Sequence, residues 1–460
     1  MKQDFVLPRR LLAIMALTAA AQLWLAHRYF GFLTGDDVEV LGEAFRYIGY
    51  HYTAWDIRNV FIPDFVAAPP IVVGHFFGVT NVAVLIELAT LPFVAVSVAT
   101  IWLTWRLALR WTSDERVAIV AAILFASHWL PLAFGSTVYP RTIATFCVVA
   151  AALLISRRPF GAGLLMGVAF ADRFSESVFL LPLMVLVMLG GERSLRAGED
   201  GNREVPKHLP AKALLWLIAG ALLSVAVLCG WYDFVTWGTP FSSVVKFAQL
   251  TLLAPDFASR VKYQAPWWYL ANLLHWCAPP MMILLAFCRD RRPWLFIAAA
   301  LVVLAGIRHK ELRYLQAMIP FLAIAAAAGF VRIRRSSLAI ALLAASVVWN
   351  AWGVRMLQKK SMPAVMAARA LAADRSVNTV VMSQLWAYGD RLYFTERVAP
   401  RDVGEPPVAL AAILNGADTA ALYETDLDDP TILPALHDAG FERRATYRDG
   451  RARSVVVFRK

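Results

Sequence analysis

The sequence predicts an α-helical polytopic membrane protein of about eleven transmembrane helices, with a small extracytoplasmic α/β domain in its C-terminal quarter. Three observations lead there. Of 460 residues, 59% are hydrophobic and only 17% charged, against roughly 25% charged in a soluble chain, so the surplus apolar surface needs lipid to face. The apolar residues are gathered into blocks of bilayer-spanning length. The basic clusters between those blocks all fall on one side of the membrane once about eleven spans are drawn. This composition argues against a disordered, collagenous or nucleic-acid-binding chain. Cys147, Cys229, Cys277 and Cys288 sit in or beside apolar runs without metal-ligand spacing and read as packing residues.

The first block, Leu11 to Ala26, follows Lys2, Arg9 and Arg10 and lacks a small-x-small cleavage site, so it reads as a retained anchor. Further spans are expected at 82–107, 117–134, 143–155, 162–171, 178–189, 214–230, 268–287, 295–307, 315–331 and 338–354. Between them lie Arg106/Arg110/Arg116, Arg157/Arg158, the 193–212 stretch, Arg289/Arg291/Arg292 and Arg332/Arg334/Arg335, which the positive-inside trend places in the cytoplasm together with the N-terminus. The formal charge of +12 accordingly divides as +11 over residues 1–355 and +1 over 356–460. It is a topology signal rather than the footprint of a polyanion partner.

Three segments are left outside. Residues 28–80 mix Tyr47, Tyr50, Tyr52, Trp55 and Phe61 with charges, as short helices in the headgroup region would. Residues 231–266 repeat that style with Trp231, Tyr232, Trp237, Lys246 and Tyr263; an interfacial aromatic belt accounts for much of both. After residue 355 the composition becomes soluble, with strands expected at Thr379–Met382, 419–423 and 454–458 and helices at 363–374, 408–414 and 432–439. That alternation implies a small α/β domain at 356–460, beside a transmembrane domain at 1–355. It contains no glycine-rich phosphate loop, and hence no nucleotide site.

Two polar features stand out. Gly35-Asp36-Asp37-Val38-Glu39 follows the first span directly: the acid pair can cap a helix, or an acid at that boundary can serve as a general base on a sugar hydroxyl. Arg308-His309-Lys310-Glu311-Leu312-Arg313 lies at an outer span end, where the positive-inside trend predicts no basic cluster. Its cations can snorkel or pair with Glu311, or hold a lipid-linked phosphate whose charge grows as its bond to a sugar breaks. Tyr139, Arg141, Asp172, Arg173 and Glu176 are further ionisable or polar groups near that face, Arg173 pairing with Asp172 or Glu176 on the structural reading. His75, His128 and His275 read as hydrogen-bonded packing residues.

These stretches carry a resemblance. Asp36-Asp37-Val38, Glu43-Ala44-Phe45-Arg46, Gly49-Tyr50 and Trp55-Asp56-Ile57-Arg58 resemble the first luminal loop of the lipid-phosphate-mannose-dependent α-mannosyltransferases of N-glycan and GPI-anchor assembly, glycosyltransferase family 22 of the GT-C superfamily. The family's His-Pro-Asp-Glu is here Thr34-Gly35-Asp36-Asp37. His309-Lys310-Glu311-Leu312-Arg313-Tyr314, followed by Pro320, is similar to the family's His-Lys-Glu-x-Arg-Phe segment, the more specific match. Trp231-Tyr232-Asp233 and Ala265-Pro266-Trp267-Trp268-Tyr269-Leu270 are weaker ones.

The resemblance implies a GT-C fold and the transfer of a hexose, mannose by family, from a polyprenyl-phosphate donor to a hydroxyl of a glycan or glycolipid, with inversion. Asp36 aligns with the catalytic acid and Asp37 with its neighbour; His309, Lys310, Arg313 and Arg58 would hold the donor phosphate, with Glu311, Tyr314, Trp55 and Arg173 in support. No cofactor is implied, a divalent metal staying open, and the partners are lipid donor, acceptor and bilayer, without nucleic acid. The Ala- and Arg-rich composition favours a bacterial inner membrane with the site on the periplasmic face, or the endoplasmic reticulum in a eukaryote. A polyprenyl-sugar flippase or a non-catalytic envelope subunit would fit the spans but would leave the two motifs unexplained.

Overall fold

A computed structural model describes residues 7–29, 31–52, 57–189, 209–250, 263–383, 389–394, 398–402, 413–450 and 453–460. Its contacts divide the chain into two compact units: Met1–Leu23, Trp55–Ile62 and Pro92–Gly353 form the first, and Trp24–Ala54, Pro63–Leu91 and Val354–Lys460 the second.

The first unit is helical. Five helices among the described residues are long and apolar enough to cross a membrane: Arg9–Arg28, Val82–Thr112, Ala211–Trp237, Leu312–Phe330 and Ser336–Leu357. The other expected blocks also form helices, but shorter or broken ones. The 117–134 block is divided by His128, whose Nδ1 accepts from the Leu130 N–H at 3.2 Å and whose Nε2 donates to the Trp276 carbonyl at 2.9 Å. The imidazole thus caps Trp129–Phe134 and ties it to another segment, the packing role expected of it. The 268–287 block splits into Trp268–Ala271, Leu273–Trp276 and Pro279–Ala286, because paired prolines start a helix well and continue one badly.

Ile319–Phe330 sits at the middle of the unit, buried from Ile319 to Gly329 among Glu115–Ser127, Pro279–Ala286 and Arg291–Gly306. Its Ala-rich sequence lets backbones close in; a Cβ on Gly329 would lie 1.8 Å from the Leu284 carbonyl oxygen. At its start Phe321 stacks on Phe296 with ring centroids 4.0 Å apart.

Pro159–Asp172 and Leu209–Val225 meet through small residues. A Cβ on Gly163 would fall 2.1 Å from the Leu217 oxygen, one on Gly220 2.2 Å from the Phe160 oxygen, and one on Gly167 2.4 Å from Ser224 Cβ. Van der Waals contact of this closeness holds helices together in lipid, where no hydrophobic force drives them. Gly163→Val is therefore expected to destabilise the protein by about 1–3 kcal/mol or more through forced backbone separation. Gly161→Ala, whose nearest contact would be Arg158 Cβ at 3.9 Å, should be neutral. Melting temperatures in detergent decide; equal behaviour of the two variants would refute the close-contact account.

In the second unit, helix Gly35–Phe45 packs against Ala68–Phe76 and the π-helical turn Pro63–Ala67. The C-terminal part forms a five-stranded sheet ordered β2-β1-β3-β5-β4, with β1 Thr379–Met382, β2 Ala399–Asp402, β3 Thr419–Tyr423, β4 Glu442–Tyr447 and β5 Val455–Arg459. β1 pairs in parallel with β2 and β3; β5 runs antiparallel to β3 and β4. Helix Ile432–Asp438 covers a core of Val381, Leu422, Leu436, Val456 and Phe458. The helix expected at 408–414 lies largely outside the described residues.

Two features differ from the sequence reading. One helix, Ser336–Ala373, runs unbroken through residue 355. The sheet segment also groups with residues 24–54 and 63–91 rather than standing alone: Gly389, at φ +83°, leaves room for the Phe32 ring, which a Cβ there would meet at 2.4 Å, and Phe32 packs edge-on against Tyr393 at 6.1 Å.

Candidate active site

The acid pair opens helix Gly35–Phe45, and its two members have different surroundings. Asp37, fully buried, reaches back over the helix start: its Oδ2 accepts from the N–H of Leu33 at 3.0 Å, the N–H of Thr34 at 2.8 Å and the Thr34 hydroxyl at 3.2 Å. This is the acid half of a capping box, satisfying donors that helix geometry leaves over. Asp36, one residue earlier in the first turn, is 6% exposed. The capping role therefore belongs to Asp37. Asp37→Ala is expected to destabilise by about 1–2 kcal/mol as a lost cap, with Asp37→Asn retaining part of that; thermal melts of the two variants check it.

Further along the same helix, Glu43 is buried and paired with Arg46 at 2.9 Å. Burial pushes its carboxyl above the ordinary 4.5, helped by nearby Asp64 and Glu39 and opposed by Arg46. Well below 4.5 the group is neutral folded or unfolded; as pH climbs through the raised folded value the native state must bury a charge, and that stability is lost. Glu43→Gln should gain on the wild-type protein in melting temperature between about pH 4 and 8, and a constant difference across that range would contradict this.

The cations gather in the first unit. Lys310 is almost wholly buried, and its ammonium donates to the Gln264 carbonyl at 3.1 Å and to that of Ile307; burial lowers its pKa. The Gln264 N–H donates back to the Arg308 carbonyl at 2.9 Å, stitching the end of the 231–266 segment to the basic one. Glu311 bridges two basic side chains, His309 at 3.3 Å through Oε1 and Arg313 through Oε2. Its carbonyl accepts from the Tyr269 hydroxyl at 3.2 Å, and Tyr314 stands edge-on to His309 at 6.1 Å.

Two tyrosine rings collect three guanidinium groups beside this segment. Arg313 and Arg173 lie over Tyr139 at 5.7 and 5.8 Å, and Arg141 over Tyr314 at 4.8 Å, in cation–π geometry. Arg141 and Glu176 form an ion pair with side chains 4% and 2% exposed. Arg141 also donates to the Tyr314 carbonyl at 3.1 Å and the Ser175 hydroxyl at 3.2 Å. Glu176 thus has an ion-pair partner in Arg141, at a helix start 35 residues upstream, in addition to the neighbouring Arg173 that the sequence offered to Asp172 or Glu176, which also acts on its charge. That a distant arginine anchors the motif is the element sequence reasoning missed; an arginine buried in an apolar helix was the available signal.

Arg58 is half-buried beside Asn59. The Asn59 amide donates to the Leu228 carbonyl at 2.6 Å and to Asp233 at 2.9 Å, and Asp233 also accepts from the Ser243 N–H and hydroxyl. The Trp231-Tyr232-Asp233 motif is therefore a mooring for residues 57–60. Trp55 lies outside the described residues. His309, Lys310, Glu311, Arg313, Tyr314 and Arg173 are brought together in the first unit, which also holds Arg58; Asp36 and Asp37 belong to the second.

Solved structures resemble this architecture at low identity. ArnT from Cupriavidus metallidurans in the apo state matches with TM-score 0.62 and 14% identity over 97% of both chains, and its undecaprenyl-phosphate-bound form with TM-score 0.55 at the same identity and coverage. The Archaeoglobus fulgidus oligosaccharyltransferase in the apo form matches with TM-score 0.52 and 12% identity over 92% of this chain and 70% of that one. No curated protein sequence matches the chain. The fold is thus that of the GT-C membrane proteins, built on apolar helices of spanning length. Within that class the chain belongs to the Alg9-like mannosyltransferase family, whose model matches residues 38–387.

Proposed function

We propose that this integral membrane glycosyltransferase moves mannose from a polyprenyl-phosphate donor to a hydroxyl of a glycan or glycolipid, with inversion, on the extracytoplasmic face. The acceptor oxygen attacks the anomeric carbon while Asp36 takes the hydroxyl proton; the bond from that carbon to the phosphate oxygen breaks, and polyprenyl phosphate leaves with the electron pair. Negative charge grows on the leaving phosphate, so fixed cations stabilise the transition state more than the ground state. His309, Lys310 and Arg313, with Arg58, would supply them. Glu311 holds His309 and Arg313 in place, and Asp37 holds the helix start that carries Asp36.

The observation that carries this reading is a family match across residues 38–387 that includes the clustered His309–Tyr314 segment. The undecaprenyl phosphate named for the Cupriavidus ArnT structure is the chemical kind of donor such a cluster suits. The test is transfer of label from polyprenyl-phosphate-mannose to membrane glycolipid acceptors by the reconstituted protein, with polyprenyl-phosphate-glucose in parallel and the product anomer determined by linkage-specific glycosidases. Transfer of mannose with inverted configuration supports the proposal. Absence of transfer from either donor by folded protein, or retention of configuration, would sink it.

A further inference from the structure

We propose that a basic pocket in the first unit, at the Arg-rich helix ends and lined by neither motif, binds the phosphodiester headgroup of an anionic membrane phospholipid. The pocket, about 440 Å³ in volume, is lined by Trp111, Asp114, Arg289, Arg291, Arg292 and Arg332, among others. It lies where helices Val82–Thr112 and Ile319–Phe330 end and Glu115–Ser127 and Arg291–Gly306 begin.

Arginines at span ends are ordinary consequences of topology; this pocket differs in how its charges are used. Both acids of the pocket are committed to helix starts: Asp114 accepts from the Arg116 N–H at 2.8 Å and Asp290 from the Arg292 N–H at 2.9 Å. Asp290 also binds the Arg292 guanidinium, at 2.7 Å through Oδ2, and Arg292 further donates to the Trp111 carbonyl and lies over the Trp111 ring at 5.6 Å. That arginine is a fixed wall. Among the described residues, Arg289, Arg291 and Arg332 have no acid within ion-pair distance, and the four arginines of the lining outnumber its two acids, so the concavity carries an excess of positive charge.

Part of the lining is apolar, from Trp111, Val117, Ala328 and Val331. Trp111, 3% exposed, packs against Phe296 and Phe321 at 6.0 and 6.2 Å. Phe287 and Trp294, beside the pocket in sequence, and Val331, in its lining, are 47%, 37% and 36% exposed, surface that acyl chains can cover. A cationic cavity with apolar flanks at the interfacial level selects a lipid phosphate over a soluble one. This site is independent of the transfer chemistry.

The test uses full-length protein in detergent and native mass spectrometry with phosphatidylglycerol, phosphatidylcholine and inorganic phosphate as probes. Arg289→Gln/Arg291→Gln/Arg332→Gln should weaken phosphatidylglycerol binding by at least about tenfold, in keeping with the contribution of each interfacial arginine. Arg157→Gln/Arg158→Gln/Arg335→Gln, which removes equal charge elsewhere, should leave it unchanged. Equal loss in both variants, equal binding of phosphatidylcholine, or displacement of phosphatidylglycerol by inorganic phosphate would overturn the proposal. Should the triple variant fail to fold, Arg332→Gln alone is expected to weaken phosphatidylglycerol binding several-fold, and unchanged binding would overturn it as well.

Discussion

Asp36→Asn is expected to lower sugar transfer from polyprenyl-phosphate-mannose by about 10²–10⁴-fold, the usual contribution of a positioned general base, while leaving the protein folded. The substitution is close to isosteric, and the capping bonds at the helix start belong to Asp37 Oδ2, so the geometry that presents position 36 should survive. The loss should fall on turnover more than on donor binding, because the proton moves only as the acceptor attacks. Single-turnover transfer measured beside donor binding separates the two. Full turnover in Asp36→Asn would remove Asp36 from the chemistry; a drop confined to donor affinity would move it to binding.

The second large effect is one of stability. Arg141→Ala should cost about 3–5 kcal/mol, because it leaves the Glu176 carboxylate buried without its counter-charge, and folded yield from membranes should fall accordingly. Arg141→Met/Glu176→Leu removes both charges and should recover most of the loss, since apolar pairs often replace buried ion pairs without penalty. The double variant is the informative one. Arg141 also donates to the Tyr314 carbonyl and covers its ring, so a folded double variant with weakened transfer would assign the pair to positioning the His309–Tyr314 segment. A double variant as poorly folded as Arg141→Ala would show that shape, not charge balance, dominates.

Much of the fold was legible because apolar blocks and buried strands announce themselves locally. β1, β3 and β5 are the interior strands, apolar enough to be read directly. β2 and β4 were missed because Ala-Pro-Arg-Asp and Glu-Arg-Arg-Ala-Thr-Tyr are edge sequences, where proline and charge are placed to discourage further pairing. The break at His128 was signalled only by Pro131, whose ring would clash with the Ser127 carbonyl of a continuing helix, whereas the tie of His128 to the Trp276 carbonyl was not legible. In the site, local motifs were readable but partners distant in sequence were not. The capping box lies within four residues and could be anticipated; the Arg141–Glu176 pair and the Asn59–Asp233 mooring span 35 and 174 residues, and only tertiary packing creates them.

The enclosed helix at the middle of the first unit bears on how the protein is made. Of the Leu312–Phe330 window, 83% lies inside the protein, against 28–39% for the other four long helices, so this segment has little lipid-facing surface of its own. The helices that wrap Ile319–Phe330, namely Glu115–Ser127, Pro279–Ala286 and Arg291–Gly306, all precede it in the chain. During synthesis its slot is already walled when it leaves the ribosome. Nascent chains extended far enough past residue 330 for this segment to clear the ribosome should therefore hold it in a protease-protected state, whereas chains lacking residues 115–127 should release it.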